Sequence, residues 1–291
     1  MPANLRGGLV NPTEAGPVAG AATRRTGGRG VARSEFPVVS GRLLKWFGWY
    51  SRGYLRRHFH SLRVSMAGSP PVSTKPLVLY LNHASWWDPL VCLALKEQFF
   101  PERKAFAPID AAALKHYRFF RTLGFFGVQR GEWGGAAEFL RVSQEVLRQP
   151  GSMLVITPQG RFADVRERPV QFLPGLGHLA ARLEDAVFVP LAVEYVFWEE
   201  RLPEILTRFG DPLYAGRHES GFVDSGQWTA MLQVRLTATQ DELARESLLR
   251  RAESFRTLFR GGAGQGGVYD WWGRVRAGLS GETFIREHGK K

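Results

Sequence analysis

The chain is 291 residues long, 44% apolar and 23% charged, enough for one sizeable core in a globular protein. Its formal net charge of +12 is unusual and attracts polyanions, either nucleic acid or an anionic membrane. The single cysteine, Cys92, excludes an internal disulfide and any multi-cysteine zinc site, and no apolar run approaches the roughly 20 residues that a spanning helix needs.

Residues 1–36 are rich in Gly, Ala, Arg, Pro and Thr without periodicity, so they read as a disordered tail. Arg24-Arg25 is followed by no apolar stretch and is not read as an export signal. Residues 37–63 read as a basic, aromatic amphipathic helix. Between residues 41 and 63, six Lys or Arg and six aromatics interleave without one acid, and Leu43, Phe47, Tyr50 and Tyr54 recur at helical spacing. That composition suits a helix lying in the headgroup region of an anionic leaflet. The alternative is a helix that packs its aromatics on the domain and solvates its charges. Gly48 and Gly53 weaken the helix.

A strand is expected at 76–82, followed by a helix at 89–98 with Pro89 in its first turn. Between them lies Asn82-His83-Ala84-Ser85-Trp86-Trp87-Asp88. Residues five apart on one helix point about 140° away from each other. His83 and Asp88 therefore meet only across a turn. There the carboxylate holds one ring nitrogen and leaves the other free to take a proton, a general base that needs no Ser or Cys nucleophile. Otherwise, Asp88 is the helix N-cap and His83 a hydrogen-bonded core residue. Cys92 reads as a small buried hydrophobe.

Further strands are expected at 103–107, 125–129, 152–157 and 187–196, with helices at 110–121, 134–148 and 174–184. This alternation predicts an α/β fold, a layered and largely parallel sheet flanked by helices. A late strand is expected near 207–214 and a long charged helix over 226–258. The Gly-rich run 261–267 is a flexible break. Residues 261–291 thus read as a linker and a basic C-terminal segment, in which 268–276 is either a second membrane contact or a docked tail helix. His58, His60 and His116 lie in basic stretches expected to be exposed helices and show no metal-ligand pattern; His178 reads as structural.

Four motifs in order resemble those of the glycerolipid and lysophospholipid acyltransferases. His83-x-x-x-x-Asp88 is similar to the first. Gly124-Phe125-Phe126-Gly127-Val128-Gln129-Arg130 is similar to the second, an apolar strand ending in Arg. Thr157-Pro158-Gln159-Gly160-Arg161 stands where the family has Pro-Glu-Gly-Thr-Arg. Val189-Pro190-Leu191-Ala192-Val193 is similar to the fourth. The resemblance covers roughly residues 40–215 and implies an acyltransferase domain over 64–260. It implies His83 and Asp88 as catalytic residues, and Arg130, Gly127, Gln159, Gly160, Arg161 and Pro190 as the substrate-binding set. Gln159 replaces the family's Glu, which keeps hydrogen bonding but loses a charge, so Gln159 cannot neutralise Arg130 or Arg161, the cations best placed to hold an anionic headgroup. The run Gln159–Asp164, with Arg166 and Arg168, also resembles a subset found with carotenoid and glycolipid acylation.

The resemblance implies transfer of a fatty acyl group from acyl-CoA or acyl carrier protein to a lipid hydroxyl, within phospholipid biosynthesis. The acceptor is lysophospholipid-type by default; a glycolipid or glycosylated carotenoid is the other reading. No cofactor is expected beyond the acyl donor, and the protein is expected to sit peripherally on an anionic membrane at the cytoplasmic face. Trp86 and Trp87 read as core packing or as a wall of an acyl-chain channel. A membrane- or lipid-binding protein of the same fold without catalysis is the runner-up. Nucleic-acid binding ranks last, because no helix-turn-helix, zinc or single-strand-binding pattern accompanies the charge.

Overall fold

The computed structural model describes residues 36–129, 133–216 and 223–263. Most of the expected tail, the expected aromatic-basic segment 268–276 and Arg130 lie outside the described residues. The basic aromatic segment is helical, α1 (Gly41–His58), but the helix stops before residue 63. Ser61–Ser65 is instead a strand, β1, buried at all five positions. A polar strand of this kind escapes a hydrophobic pattern because distant partners permit its burial. Arg63 Nε donates to Glu204 Oε2 at 3.0 Å and its Nη1 to Thr257 Oγ1 at 3.1 Å, while Ser61 also donates to Glu204. His60, expected on an exposed helix, is buried, with Nδ1 2.9 Å from the Gly262 carbonyl oxygen.

Next come β2 (Leu77–Leu81), α2 (Asp88–Phe99), β3 (Lys104–Asp110), α3 (Ala111–His116), β4 (Phe125–Val128), α4 (Trp133–Leu147), β5 (Ser152–Ile156), α5 (Gly175–Ala180) and β6 (Ala186–Val196), in the alternation that the periodicity predicts. The helix expected over 110–121 is shorter, because α3 ends at His116 and a 3-10 turn, Arg118–Thr122, follows. The late strand is two, β7 (Glu204–Phe209) and β8 (Leu213–Ala215). The long helix α6 (Ser225–Leu249) opens on a capping box in which Asp224 accepts from the Gly226 and Gln227 amides. It ends well before residue 258, at Arg250 in the left-handed conformation with φ 50°. Phe255–Arg260 then forms β9, antiparallel to β1.

The strand order is β4-β3-β5-β2-β6-β7-β1-β9, with β8 beside β6. Pairings from β4 through β6 are parallel, as is β7 with β1; β6–β7, β6–β8 and β1–β9 are antiparallel. The expected parallel sheet is therefore one side of it, from the edge strand β4 to β6, with antiparallel pairings toward the other side. Alternation along β2 defines two faces. Leu77, Leu79 and Leu81 pack with Leu55 of α1 and Val91, Cys92 and Leu95 of α2. Val78 and Tyr80 pack with Phe139 and Val142 of α4, Leu176 of α5 and Trp228 of α6. Each such buried side chain stabilises the fold by about 1.5–3 kcal/mol. Helices α1 and α2 approach closely at Gly48, where a Cβ would collide with the Glu97 carboxylate. No described helix is long and apolar enough to cross a membrane.

Candidate active site

The parallel strands of the sheet end in a row of loops, and β2 delivers His83 to that edge. Asn82 extends the β2–β6 ladder with its side chain: Nδ2 donates to the Val193 carbonyl oxygen and Oδ1 accepts from the Val193 amide, both at 2.9 Å. The main chain of His83 is thereby released from the sheet, and two other groups hold it. Its amide donates to Gln159 Oε1 at 3.0 Å, and its carbonyl accepts from the Ala163 amide at 2.9 Å.

Ser85 to Asp88 form a turn, with the Asp88 amide donating to the Ser85 carbonyl at 3.1 Å. The turn folds Asp88 back onto the imidazole: His83 Nδ1 lies 2.7 Å from Asp88 Oδ2. The N-cap alternative does not describe this carboxylate. Trp87 is the cap residue, without a side-chain cap bond, and Asp88 Oδ2 accepts from the Ser85 amide at 3.1 Å. Asp88 is buried, whereas the imidazole is 19% exposed and its Nε2 has no hydrogen-bond partner among the described residues. The Tyr195 hydroxyl donates to the other carboxylate oxygen, Oδ1, at 2.6 Å. Burial, with the Asp88 carboxylate beside it, pushes that hydroxyl well above its ordinary range, so it remains a donor.

Beside this loop, a cleft of about 680 Å³ opens at the ends of β3, β4 and β5. Ile109, Val128, Phe139, Ile156, Leu173 and Leu176 line it, with Gln129, Gln159 and Arg161 among its polar groups. Gln159 thus borders the cleft while holding the His83 amide. Among the described residues, no group of three or more His, Cys, Asp or Glu is placed to hold a metal ion.

Of the described residues of the expected substrate-binding set, Gln159, Gly160 and Arg161 are brought together at the cleft, and Gly127 and Pro190 are not. Arg161 borders the cleft but is bonded to Glu167, so a residue other than Gln159 neutralises it. Arg166 and Arg168 are paired with Asp164 and Asp241. Gly160 has φ +64° in a turn closed by its own amide on the Thr157 carbonyl, and the side chain of Leu173 occupies the space above it. Gly127 packs on Ala111 and Leu114 of α3, where its missing Cβ admits the helix. Pro190 is buried in β6 opposite Tyr80, between the stretches paired with β8 and β7, a place that tolerates a residue without an N–H. Neither Gly127 nor Pro190 lines the cleft.

Residues 63–194 match the family model described as Acyltransferase. They form an acyltransferase domain. It spans β1 to Glu194 near the end of β6 and contains all four motifs, the His83–Asp88 contact and Gln159. The nine-stranded sheet flanked by helices is consistent with an acyltransferase-like fold. No curated protein matches the chain. Tyr195 stands one residue beyond the acyltransferase match, and sequence reasoning passed over it, as it did the clamping roles of Asn82 and Ala163. Only the β2–β6 register places Tyr195 over Asp88, and nothing in a single sequence announces that register.

Proposed function

We propose that this acyltransferase moves a fatty acyl group from a thioester, acyl-CoA or acyl carrier protein, to the hydroxyl of a lipid, with His83 as general base and Asp88 as its orienting partner. The supporting observation is the 2.7 Å contact between Nδ1 and Oδ2, which assigns the ring proton to Nδ1 and leaves Nε2 as an acceptor on the partly exposed edge. Nε2 takes the acceptor's hydroxyl proton as that oxygen bonds to the thioester carbonyl carbon. Collapse of the tetrahedral intermediate breaks the carbon–sulfur bond, and the departing thiolate leaves with the proton His83 had taken. Asp88 offsets the imidazolium charge in between, and no acyl-enzyme is required. The aliphatic cleft is within the size range of ligand sites and suits an acyl chain.

The acceptor on this reading is a lysophospholipid, which places the enzyme in phospholipid biosynthesis. It meets the lipid at an anionic leaflet through the exposed Trp46, Trp49 and Tyr50 of α1, on the cytoplasmic side where thioester donors are made. One observation favours an uncharged glycolipid instead: Arg161, Arg166 and Arg168 of the third-motif loop each already carry a carboxylate. Side-by-side turnover of 1-acylglycerol-3-phosphate and an uncharged glycolipid, with a labelled long-chain acyl-CoA, decides between them. His83→Ala should lower turnover of the better acceptor by about two to four orders of magnitude with the fold intact. Near-normal turnover by that variant would remove His83 as the base, and no turnover by the native chain with any acceptor would favour a lipid-binding role without catalysis.

A further inference from the structure

Both oxygens of Asp88 are engaged by the protein. Oδ2 takes His83 Nδ1 and the Ser85 amide, and Oδ1 takes the Tyr195 hydroxyl. We propose that Tyr195 is a positioning residue for acyl transfer, acting through Asp88 to set both the orientation and the strength of the His83–Asp88 contact. This rests on the reading of His83 as the base.

The geometry carries the inference in two ways. A carboxylate anchored through one oxygen can still pivot about its Cβ–Cγ bond; a donor on each oxygen fixes its plane and, with it, the imidazole. The hydroxyl is also registered against the histidine. Tyr195 stands two residues beyond Val193 on β6, and Val193 is the residue that Asn82 clamps through two hydrogen bonds, next to His83. The strand bearing the hydroxyl and the strand bearing the base are therefore locked to one another beside the site. A phenylalanine would keep the packing of Tyr195 against Phe59, whose ring centroids lie 5.7 Å apart, and would remove only the donor.

The donor has a chemical consequence. A hydrogen bond into a carboxylate draws off part of its charge, and the carboxylate then holds a protonated imidazole less tightly. Tyr195 thus moderates the base. His83 then returns its captured proton to the leaving thiolate more readily.

The test is Tyr195→Phe in the full chain, assayed with a long-chain acyl-CoA and the better of the two acceptors compared above. The expected result is a fall in kcat of about tenfold with KM values within about twofold. The ascending limb of kcat against pH should move to higher pH by about half a unit to one unit. In an Asp88→Asn background, Tyr195→Phe should cost nothing further, because the carboxylate through which it acts is gone. A limb that stays in place or moves to lower pH, or losses that multiply in the Asp88→Asn background, overturns the inference and leaves Tyr195 as packing. Retained turnover in His83→Ala overturns the assignment of the base, and this inference with it; loss there combined with an unmoved limb overturns the role of Tyr195 alone.

Discussion

Asp88 receives hydrogen bonds from a ring, a turn and a strand, and the restraint continues along the main chain of His83. Gln159 holds its amide and Ala163 its carbonyl, so the proposed base sits on a backbone that need not reorganise before proton transfer. Gln159 is where the third motif departs from its family, and its Oε1 supplies an acceptor as a glutamate oxygen would, without the charge. Gln159→Ala should therefore lower kcat by about tenfold through a freed loop, while Gln159→Glu keeps turnover within a few-fold. Steady-state rates on variants of unchanged melting temperature check this, and native-like rates in Gln159→Ala would show that the tether is dispensable. Glu194 makes a different prediction. Burial pushes its carboxyl above the ordinary range, against the opposing hydrogen bond of Ser247. The folded chain binds that proton more tightly than the unfolded chain, so this group adds stability as pH falls through the raised value and costs stability above it. Glu194→Gln should melt higher than the native chain at neutral pH, by up to about 2 °C for a partly solvated group. The gap should close near about pH 4; an equal gap at both pH values would rule out the charge as its cause. The His83–Asp88 contact is legible in the sequence because it is local. Gln159 lies 76 residues from His83, Val193 lies 111 from Asn82 and Tyr195 lies 107 from Asp88, and no periodicity links such partners.

At the scale of elements, α1 divides its two faces between the domain and the surroundings. It buries Gly48, Ser51 and Leu55, and it leaves Trp46, Tyr50 and, at 72% exposed, Trp49 outside. Trp46 stacks on Tyr50, Tyr50 on Tyr54, Tyr54 packs on Trp87, and Trp87 stacks with the exposed Trp86. A row of rings thus leads from the start of the helix to the His83 loop. Replacing Trp46 and Trp49 together by Ala should weaken binding to anionic vesicles by about tenfold or more, with added salt weakening what remains. Co-sedimentation measures this, and unchanged binding would leave α1 as a packing helix. The charge contribution is better probed at exposed Arg42, Lys45 and Arg57 than at Arg52, which is tied to Glu97. Elements with an apolar signature, β2 to β6 and the helices between them, are legible from periodicity. β1 and β9 are not. Ser61, Arg63 and Ser65 are buried because Glu204, Thr257 and their neighbours satisfy them, and the charged stretch after Leu249 continues a helical pattern into what is a strand.

Across the whole molecule, the layered class is readable from alternation, but the order of strands is not. β5 inserts between β3 and β2, and the two polar strands β1 and β9 close the far side of the sheet beyond β7. The sheet also separates two approaches to one edge. The aliphatic cleft over Phe139 and Leu176 belongs to the side of α4 and α5, whereas Asp88, Trp87 and Tyr195 belong to the side of α1 and α2. Gln159 borders the first and holds the His83 amide of the second. If thioester and acceptor use opposite sides, initial-velocity lines at varied donor and acceptor should intersect, as for a ternary complex; parallel lines would indicate an acyl-enzyme and contradict the direct transfer proposed here. A two-sided edge removes any queue. On the direct transfer proposed here, neither substrate must depart before the other arrives, and an acceptor would be exchanged with the leaflet while the thioester stays in place.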